Sequence, residues 1–508
     1  MTLAILASRA LSGADAPAVR VETHLGPGLP AFTVVGLPDT EVRESRERVR
    51  AAILSSGFEF PNGRITVNLS PADLPKASAR FDLPIALGVL LASGQVGAPG
   101  PGGGVAPPGL QALVLAGELS LTGALVPVGA PLALALAVAR EQPDATLVLP
   151  ADSATVAAWV PGLQVLAASA LAEVAAHLSG AAPLPRAEPG AWPAAAASPC
   201  LSDVRGQPMA RRALEVAAAG AHSLLMVGPP GAGKSMLAQR LPGLLPPLSR
   251  TQALEAAALA GLAGPAGVAA ALQGQPPFRA PHHGASAAAL VGGGARPRPG
   301  EATLAHHGVL FLDELPEFDR RALEALREPL ETGRVAIARA RHSVQYPARF
   351  QLVAAMNPCP CGWRGHPARP CSCTPDQVAR YIGKLSGPLL DRLDLAIELP
   401  AVAPDWLDAP PGEPSEAVRT RVARCRERQQ QRQGGPNAAL QGADLDASCA
   451  LDAEGQALLR QAMQRLHGSA RATHRTLRVA RTAADLDGQD RVQARHVAEA
   501  LQYRCTLR

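Results

Sequence analysis

Leu224–Met236 reads LLMVGPPGAGKSM. Gly228, Gly233, Lys234 and Ser235 match G-x-x-x-x-G-K-[ST], with Pro229, Pro230, Gly231 and Ala232 filling the loop. Leu224–Val227 predicts a buried strand before the glycines, and Met236–Leu241 predicts a continuing helix, the context this motif requires. Glycines let backbone N–H groups face phosphates without interference from Cβ atoms. The helix N-terminus adds favourable partial charge. In this reading Lys234 reaches the β- and γ-phosphates of ATP and Ser235 completes a Mg²⁺ shell.

Working outward, GVLFLDE (Gly308–Glu314) supplies the second half of such a site. Val309–Leu312 is an uninterrupted apolar run, as a central parallel strand should be. It ends in Asp313, placed to hold Mg²⁺, and Glu314, placed to orient and polarise an attacking water. Phosphoryl transfer needs positioning and charge neutralisation more than covalent help. A third apolar run, Phe350–Ala355, ends near Asn357, which either contacts the γ-phosphate or the water, or makes an Asx-turn before Pro358. The core expected is therefore a P-loop α/β domain with a parallel sheet.

Composition bounds the rest. The 508 residues allow about two to four domains. Hydrophobic content is 47% but aromatics only 3%, so the cores must be aliphatic. The net charge is +5, and residues 411–508 hold 16 arginines against 11 acids, which accounts for all of it. A mildly basic end permits polyanion binding without demanding it. Lys76, Lys234 and Lys384 are the only lysines. No apolar run of 18 residues is free of charge and proline, so a membrane span is not expected. The start, MTLAILASRALSG, lacks the basic region of a signal peptide. A cytoplasmic protein is expected.

Residues 1–180 alternate strand-like runs with alanine/leucine-rich helical ones, and 97–109 read as a flexible glycine/proline loop. Residues 181–199 are rich in proline and alanine and read as a linker; 200–400 form the P-loop block; 401–414 form a second linker. Residues 415–508 read as a helical lid with helices over 415–433, 452–467, 471–486 and 490–503.

Directly after Asn357 comes NPCPCGWRGHPARPCSC, with Cys359, Cys361, Cys371 and Cys373 as two C-x-C pairs. Half of the eight cysteines lie here. In a reducing compartment, clustered thiols more often bind metal than pair. Free thiols or a redox pair are the alternatives, and C-x-C is tighter than the usual C-x₂-C. Structural Zn²⁺ is the preferred reading, since it would fix a loop that has no core of its own.

The stretches GPPGAGKS, FRAPHHGASAAALVGGG, RPGEATLAHHGVLFLDELPEF, PARFQLVAAMNPCPCG and SGPLLDRLDL together resemble the magnesium-chelatase-like AAA+ ATPases of the competence-associated ComM/YifB type, over nearly the full chain. The resemblance implies a homo-hexameric ring with ATP between subunits, and a role in branch migration of DNA during natural transformation, beside recombination proteins. By position Arg392 resembles the arginine finger supplied by a neighbour, and Arg471 the sensor arginine of the lid. Local ion pairing of Arg392 with Asp391 or Asp394 is the alternative. In related rings a β-hairpin precedes the sensor strand and faces the pore. Gly333–Phe350 reads as that hairpin, and Arg339 and Arg341 are its candidate DNA contacts.

Two further stretches, DLPKASARFDLPIALG (Asp73–Gly88) and AGELSLTGALVPVGAPLAL (Ala116–Leu134), resemble the Lon protease domain, a ribosomal S5-like α+β fold. Lon enzymes use a Ser-Lys dyad. Here the serine's place falls on Arg80 and the lysine's on Leu132. Without a base, a hydroxyl is a poor nucleophile, so a noncatalytic domain is expected. The competing functions are a magnesium-chelatase motor subunit, an ATP-dependent protease, which Arg80 and Leu132 argue against, and a chaperone-like interaction ATPase.

Overall fold

The computed structural model describes residues 3–74, 76, 78–97, 109–191, 198–264, 267–294, 297–339, 342–402, 409–465 and 469–504, with the backbone alone at Thr40, Arg339 and His342. The chain divides into two units, Met1–Ala194 with Ala253–Gln273, and Ala195–Gln252 with Gly274–Arg508. Ala253–Gln273, expected inside the P-loop block, belongs to the first unit, where a Cβ on Gly261 would lie 3.8 Å from Ala130 Cα.

The first unit carries a seven-stranded mixed sheet. Its order is Ala31–Val35, Arg64–Ser70, Ala18–Gly26, Leu3–Arg9, Leu113–Leu115, Thr146–Pro150, Gln164–Ala168. Alternation sets the faces: in Arg64–Ser70 Ile65, Val67 and Leu69 are buried and their neighbours are not. The helix Asp82–Ala92 is buried at all eleven positions, as an apolar-all-round helix must be. Its one acid, Asp82, is wholly buried and accepts from Arg48 Nε at 2.7 Å. Burial pushes this carboxyl up to about 6 despite Arg48.

Within the segment read as linker from residue 181, residues 185–187 pair with the edge strand. Ala167 N donates to Pro185 O at 3.0 Å, and Ala187 N to Val165 O at 2.8 Å. An edge strand offers unpaired backbone groups, and the proline-rich chain satisfies some of them before it leaves. Residues 98–108, within the expected glycine loop, and parts of both linkers lie outside the described residues.

The second unit holds a five-stranded sheet in the order Phe278–Arg279, Val309–Leu312, Gln351–Met356, Leu224–Val227, Leu395–Glu398, parallel throughout. The middle three strands are buried at every position, which explains their unbroken apolar runs. Before the Gln351–Met356 strand, Arg334–Arg339 and His342–Pro347 pair as an antiparallel hairpin. The side chain of Arg339, and Arg341 entirely, lie outside the described residues.

Among the described residues five α-helices close the chain: Ser415–Gln433, Gly442–Ser448, Ala453–Arg465, Ala470–Leu486 and Ala494–Gln502. The expected four thus gain a short one, Gly442–Ser448, which buries Leu445 in a small cluster with Leu440 and Cys449. The helices are tied by a buried carboxylate. Asp485 accepts from Arg432 Nη1 at 2.7 Å, Arg481 Nη2 at 2.9 Å and Asn437 Nδ2 at 2.8 Å. Among the described residues no helix is long and apolar enough to cross a membrane.

Candidate nucleotide site

In a parallel sheet, ligands bind at the carboxyl ends of the strands. Leu224–Val227 ends in the glycine loop, pinned on both sides: Gly228 N donates to Met356 O at 3.2 Å, and Leu399 N to Val227 O at 2.7 Å. A Cβ on Gly228 would come within 2.8 Å of Leu399 O, so this close approach requires glycine. Gly231 and Gly233 have φ of 79° and 88°, open to a residue without Cβ. The helix Lys234–Leu244 then starts with its free N–H groups facing the loop.

Lys234 is 9% exposed. Its Nζ donates to Gly228 O at 2.7 Å, Pro229 O at 3.0 Å and Asn357 Oδ1 at 3.1 Å. Burial lowers its pKa, and Asp313 and Glu314 oppose that. Ser235 Oγ donates to Asp313 Oδ2 at 2.6 Å, and Glu314 N donates to Asp313 Oδ1 at 2.9 Å. Thus Lys234, Ser235, Asp313, Glu314 and Asn357 converge from three adjacent strand ends. A buried ammonium turned onto loop carbonyls, and a hydroxyl sharing a carboxylate, fit a polyphosphate and a hard divalent cation.

Glu314 has φ 52°, a left-handed conformation that costs a non-glycine residue energy and is often kept at working sites. His283 Nδ1 lies 3.1 Å from Glu314 Oε2. The sequence reading missed this partner, which lies 31 residues away along the chain.

Arg392 and Arg471 lie elsewhere. Asp394 N donates to Ser223 O at 3.2 Å, so Arg392 sits where the Leu224 and Leu395 strands begin. Four strand residues, about 13 Å, separate this edge from the glycine loop. Here a cavity of about 1210 Å³ is lined by Arg349, Arg392, Arg471, His474, Arg475 and Arg478, among others. Arg392 pairs with Glu331 at 2.6 Å, not with Asp391 or Asp394, and donates to Pro388 O at 2.6 Å. The Arg392 hydrogen bond, with lesser help from Arg471, holds the Glu331 carboxyl below its usual range. Arg475 takes Asp391, at 3.0 Å.

The four cysteines meet. Cys359 Sγ is 3.4 Å from Cys361 Sγ and 3.6 Å from Cys371 Sγ, and Cys361 N donates to Cys373 Sγ at 3.4 Å. One sulfur from each residue fits within 4.8 Å of all the others, and all seven described cysteines are free of disulfides. A backbone hydrogen bond from Trp363 draws the Cys361 thiol down to about 5.

Three family descriptions match in succession: subunit ChlI of Mg-chelatase over residues 21–153, magnesium chelatase subunit ChlI over 200–406, and its C-terminal part over 412–504. The chain is 47% identical to the uncharacterized protein YifB of Salmonella typhimurium over 509 residues, covering 99% of this chain and 97% of that one. It is 45% identical to the competence protein ComM of Haemophilus influenzae over 520 residues, covering 100% and 98%. A magnesium-chelatase 67 kDa subunit of Heliobacterium mobile is 28% identical over 224 residues, 38% of this chain and 31% of that one. With ChlI matches along its length and 45–47% identity to YifB and ComM over the full length, the chain belongs to the magnesium-chelatase-like AAA+ family.

Proposed function

We propose that this protein is an ATP-hydrolysing motor, working as a ring of six copies, that remodels branched DNA. One observation carries the ring. Lys234 and Arg392 stand at opposite ends of two neighbouring parallel strands, so Arg392 points away from the nucleotide site of its own chain. A second copy presenting its Arg392 and Arg471 to this copy's glycine loop would complete the site.

Bound ATP and Mg²⁺ supply the phosphoryl group and its charge neutralisation. Lys234 holds the β- and γ-phosphates, and Ser235 and Asp313 hold the cation. Glu314, tethered by His283, orients the water, and Asn357 senses the γ-phosphate. Arg392 from the neighbour stabilises charge in the transition state. Cys359, Cys361, Cys371 and Cys373 are read as a structural zinc clip.

DNA as the substrate is supported by the full-length match to ComM, a competence protein. The Arg334–Pro347 hairpin is the candidate pore contact, with Arg339 and Arg341 meeting phosphates, which gives affinity without sequence preference. The N-terminal unit is read as a Lon-like domain without a dyad. Arg80 and Leu132 are both buried, and Ser78 Oγ accepts from Arg80 Nε at 3.3 Å. A magnesium-chelatase motor is the second reading, favoured by the partial match to the Heliobacterium mobile subunit.

The test is ATP turnover against three additives. Stimulation by branched DNA is expected. Stimulation by unfolded protein alone would favour a chaperone, and stimulation only by a porphyrin-binding partner would favour a chelatase. Replacing Arg339 and Arg341 together by alanine should lower the salt slope of DNA binding by about two and abolish remodelling while basal turnover survives.

A further inference from the structure

Between Asn357 and Cys373 only two residues are buried, Cys359 and Gly362. Four prolines and an exposed arginine-bearing tip give this segment no apolar core. Its local order comes from small contacts, such as Arg369 over the Trp363 ring at 4.4 Å and His366 edge-on to the same ring at 5.1 Å. These leave the conformation of the strand-proximal half to the thiols.

The two cysteine pairs mark the two ends of the segment. Cys359 and Cys361 follow the Gln351–Met356 strand, and Cys371 and Cys373 precede the helix Pro375–Ile382, which opens with a full capping box at Thr374. Tetrahedral Zn²⁺ with Zn–S near 2.3 Å requires sulfurs about 3.8 Å apart. The closest pairs here are 3.4, 3.6 and 3.6 Å, far beyond a covalent S–S bond. Four sulfur donors with no oxygen donor suit zinc over magnesium or calcium.

The other buried residue faces the glycine loop. Gly362 has φ 84°, and its N–H donates to Cys359 O at 3.0 Å, so one tight turn joins it to a ligand. A Cβ there would lie 2.7 Å from Pro230 Cδ and 2.8 Å from Pro230 Cγ. Gly362 is therefore seated on the middle of the phosphate loop. Asn357, two residues before Cys359, holds Lys234 at 3.1 Å, and Tyr381 of the following helix bonds the Asn357 backbone. Both ends of the clip thus bear on the group that holds Lys234.

We propose that Cys359, Cys361, Cys371 and Cys373 bind one zinc ion whose occupancy braces the phosphate loop through Gly362 and Asn357, so that zinc sets nucleotide affinity although it touches no nucleotide. This rests on the ATP-site reading above. Without the metal, the turn carrying Gly362 loses its anchor, and Pro230 loses the surface that limits the loop.

The full-length protein, purified reduced, is measured for zinc and for affinity toward a fluorescent ATP analogue. About one zinc per chain is expected. Release of zinc by a mercurial thiol reagent should weaken affinity by about tenfold, and removal of the mercurial with excess dithiol followed by addition of zinc alone should restore it. Cys371→Ser with Cys373→Ser should lose both zinc and affinity. Gly362→Ala should keep its zinc yet bind nucleotide about tenfold more weakly, because the methyl overpacks Pro230. Zinc-free reduced protein that binds nucleotide normally would overturn the metal site. Zinc that leaves without change in affinity, or a Gly362→Ala variant of wild-type affinity, would overturn the brace. Zinc-loaded wild type that takes no nucleotide would overturn the ATP-site reading and the coupling with it.

Discussion

Lys76 and Lys234 are two of the chain's three lysines, one in each unit, and both are buried. Burial lowers the pKa of both. Their surroundings differ. Lys234 points into a glycine loop at strand ends, faces Asp313 and Glu314, and shares Asn357. Lys76 donates to Pro71 O within its own turn, and the nearby Ser78 hydroxyl is held by Arg80. A buried lysine is therefore not in itself a working one. What separates the two is replaceable acceptors: an incoming phosphate can displace the loop carbonyls from Lys234, while Lys76 closes a local turn.

The largest effect that would break this contrast is at Lys234. Lys234→Ala should abolish binding of the ATP analogue and all turnover, because it removes the ammonium held at the loop; retained turnover would make the two lysines equivalent. Next is Arg392→Ala, expected to cost about 10³-fold or more in turnover with binding intact. Mixed with wild type, it should depress activity more steeply than its mole fraction, and strict proportionality would mean that each chain works alone. Glu314→Gln should bind nucleotide normally and lose about 10²–10⁴-fold in hydrolysis. Wild-type hydrolysis there would move water activation to another group.

The smaller effects sharpen the other side. Lys76→Met should leave nucleotide affinity unchanged and lower the unfolding free energy by about 1–3 kcal/mol, since Pro71 O is left unpaired. Loss of ATP turnover without loss of stability would give Lys76 a function. Asp82 carries a pH signature. Its carboxyl is pushed up to about 6 in the fold from an ordinary 3.8. Between roughly pH 4 and 6 the folded chain holds the proton that the unfolded chain has released, so stability falls as pH rises through that window and is level above it. Asp82→Asn should remove up to about 3 kcal/mol of that slope, as read by denaturant unfolding at each pH.

The strands around the glycine loop were legible because fully buried parallel strands write themselves as unbroken apolar runs. Leu224–Val227, Val309–Leu312 and Gln351–Met356 are such runs, and the residues at their tips follow by chain adjacency. The helix Ser415–Gln433 was legible to the residue for a similar reason, with Pro414 before it and Gly434 after it. The hairpin was legible from its two strand-like arms.

What the local pattern carries ends where distance in sequence takes over. His283 reaches Glu314 across 31 residues, and Arg392 finds Glu331 across 61, with nothing in either neighbourhood to announce the pairing. The assignment of Ala253–Gln273 to the first unit, and the use of residues 185–187 as sheet edge, likewise depend on surfaces that no short window contains. Sequence alone determined which candidate residues stand at a strand tip, in a loop or at a helix start, since spacing along such an element is a local property. Only the tertiary structure decided that Lys234 and Arg392 lie at opposite ends of neighbouring parallel strands, and that Gly362 rests on Pro230, because both depend on how distant strands pack.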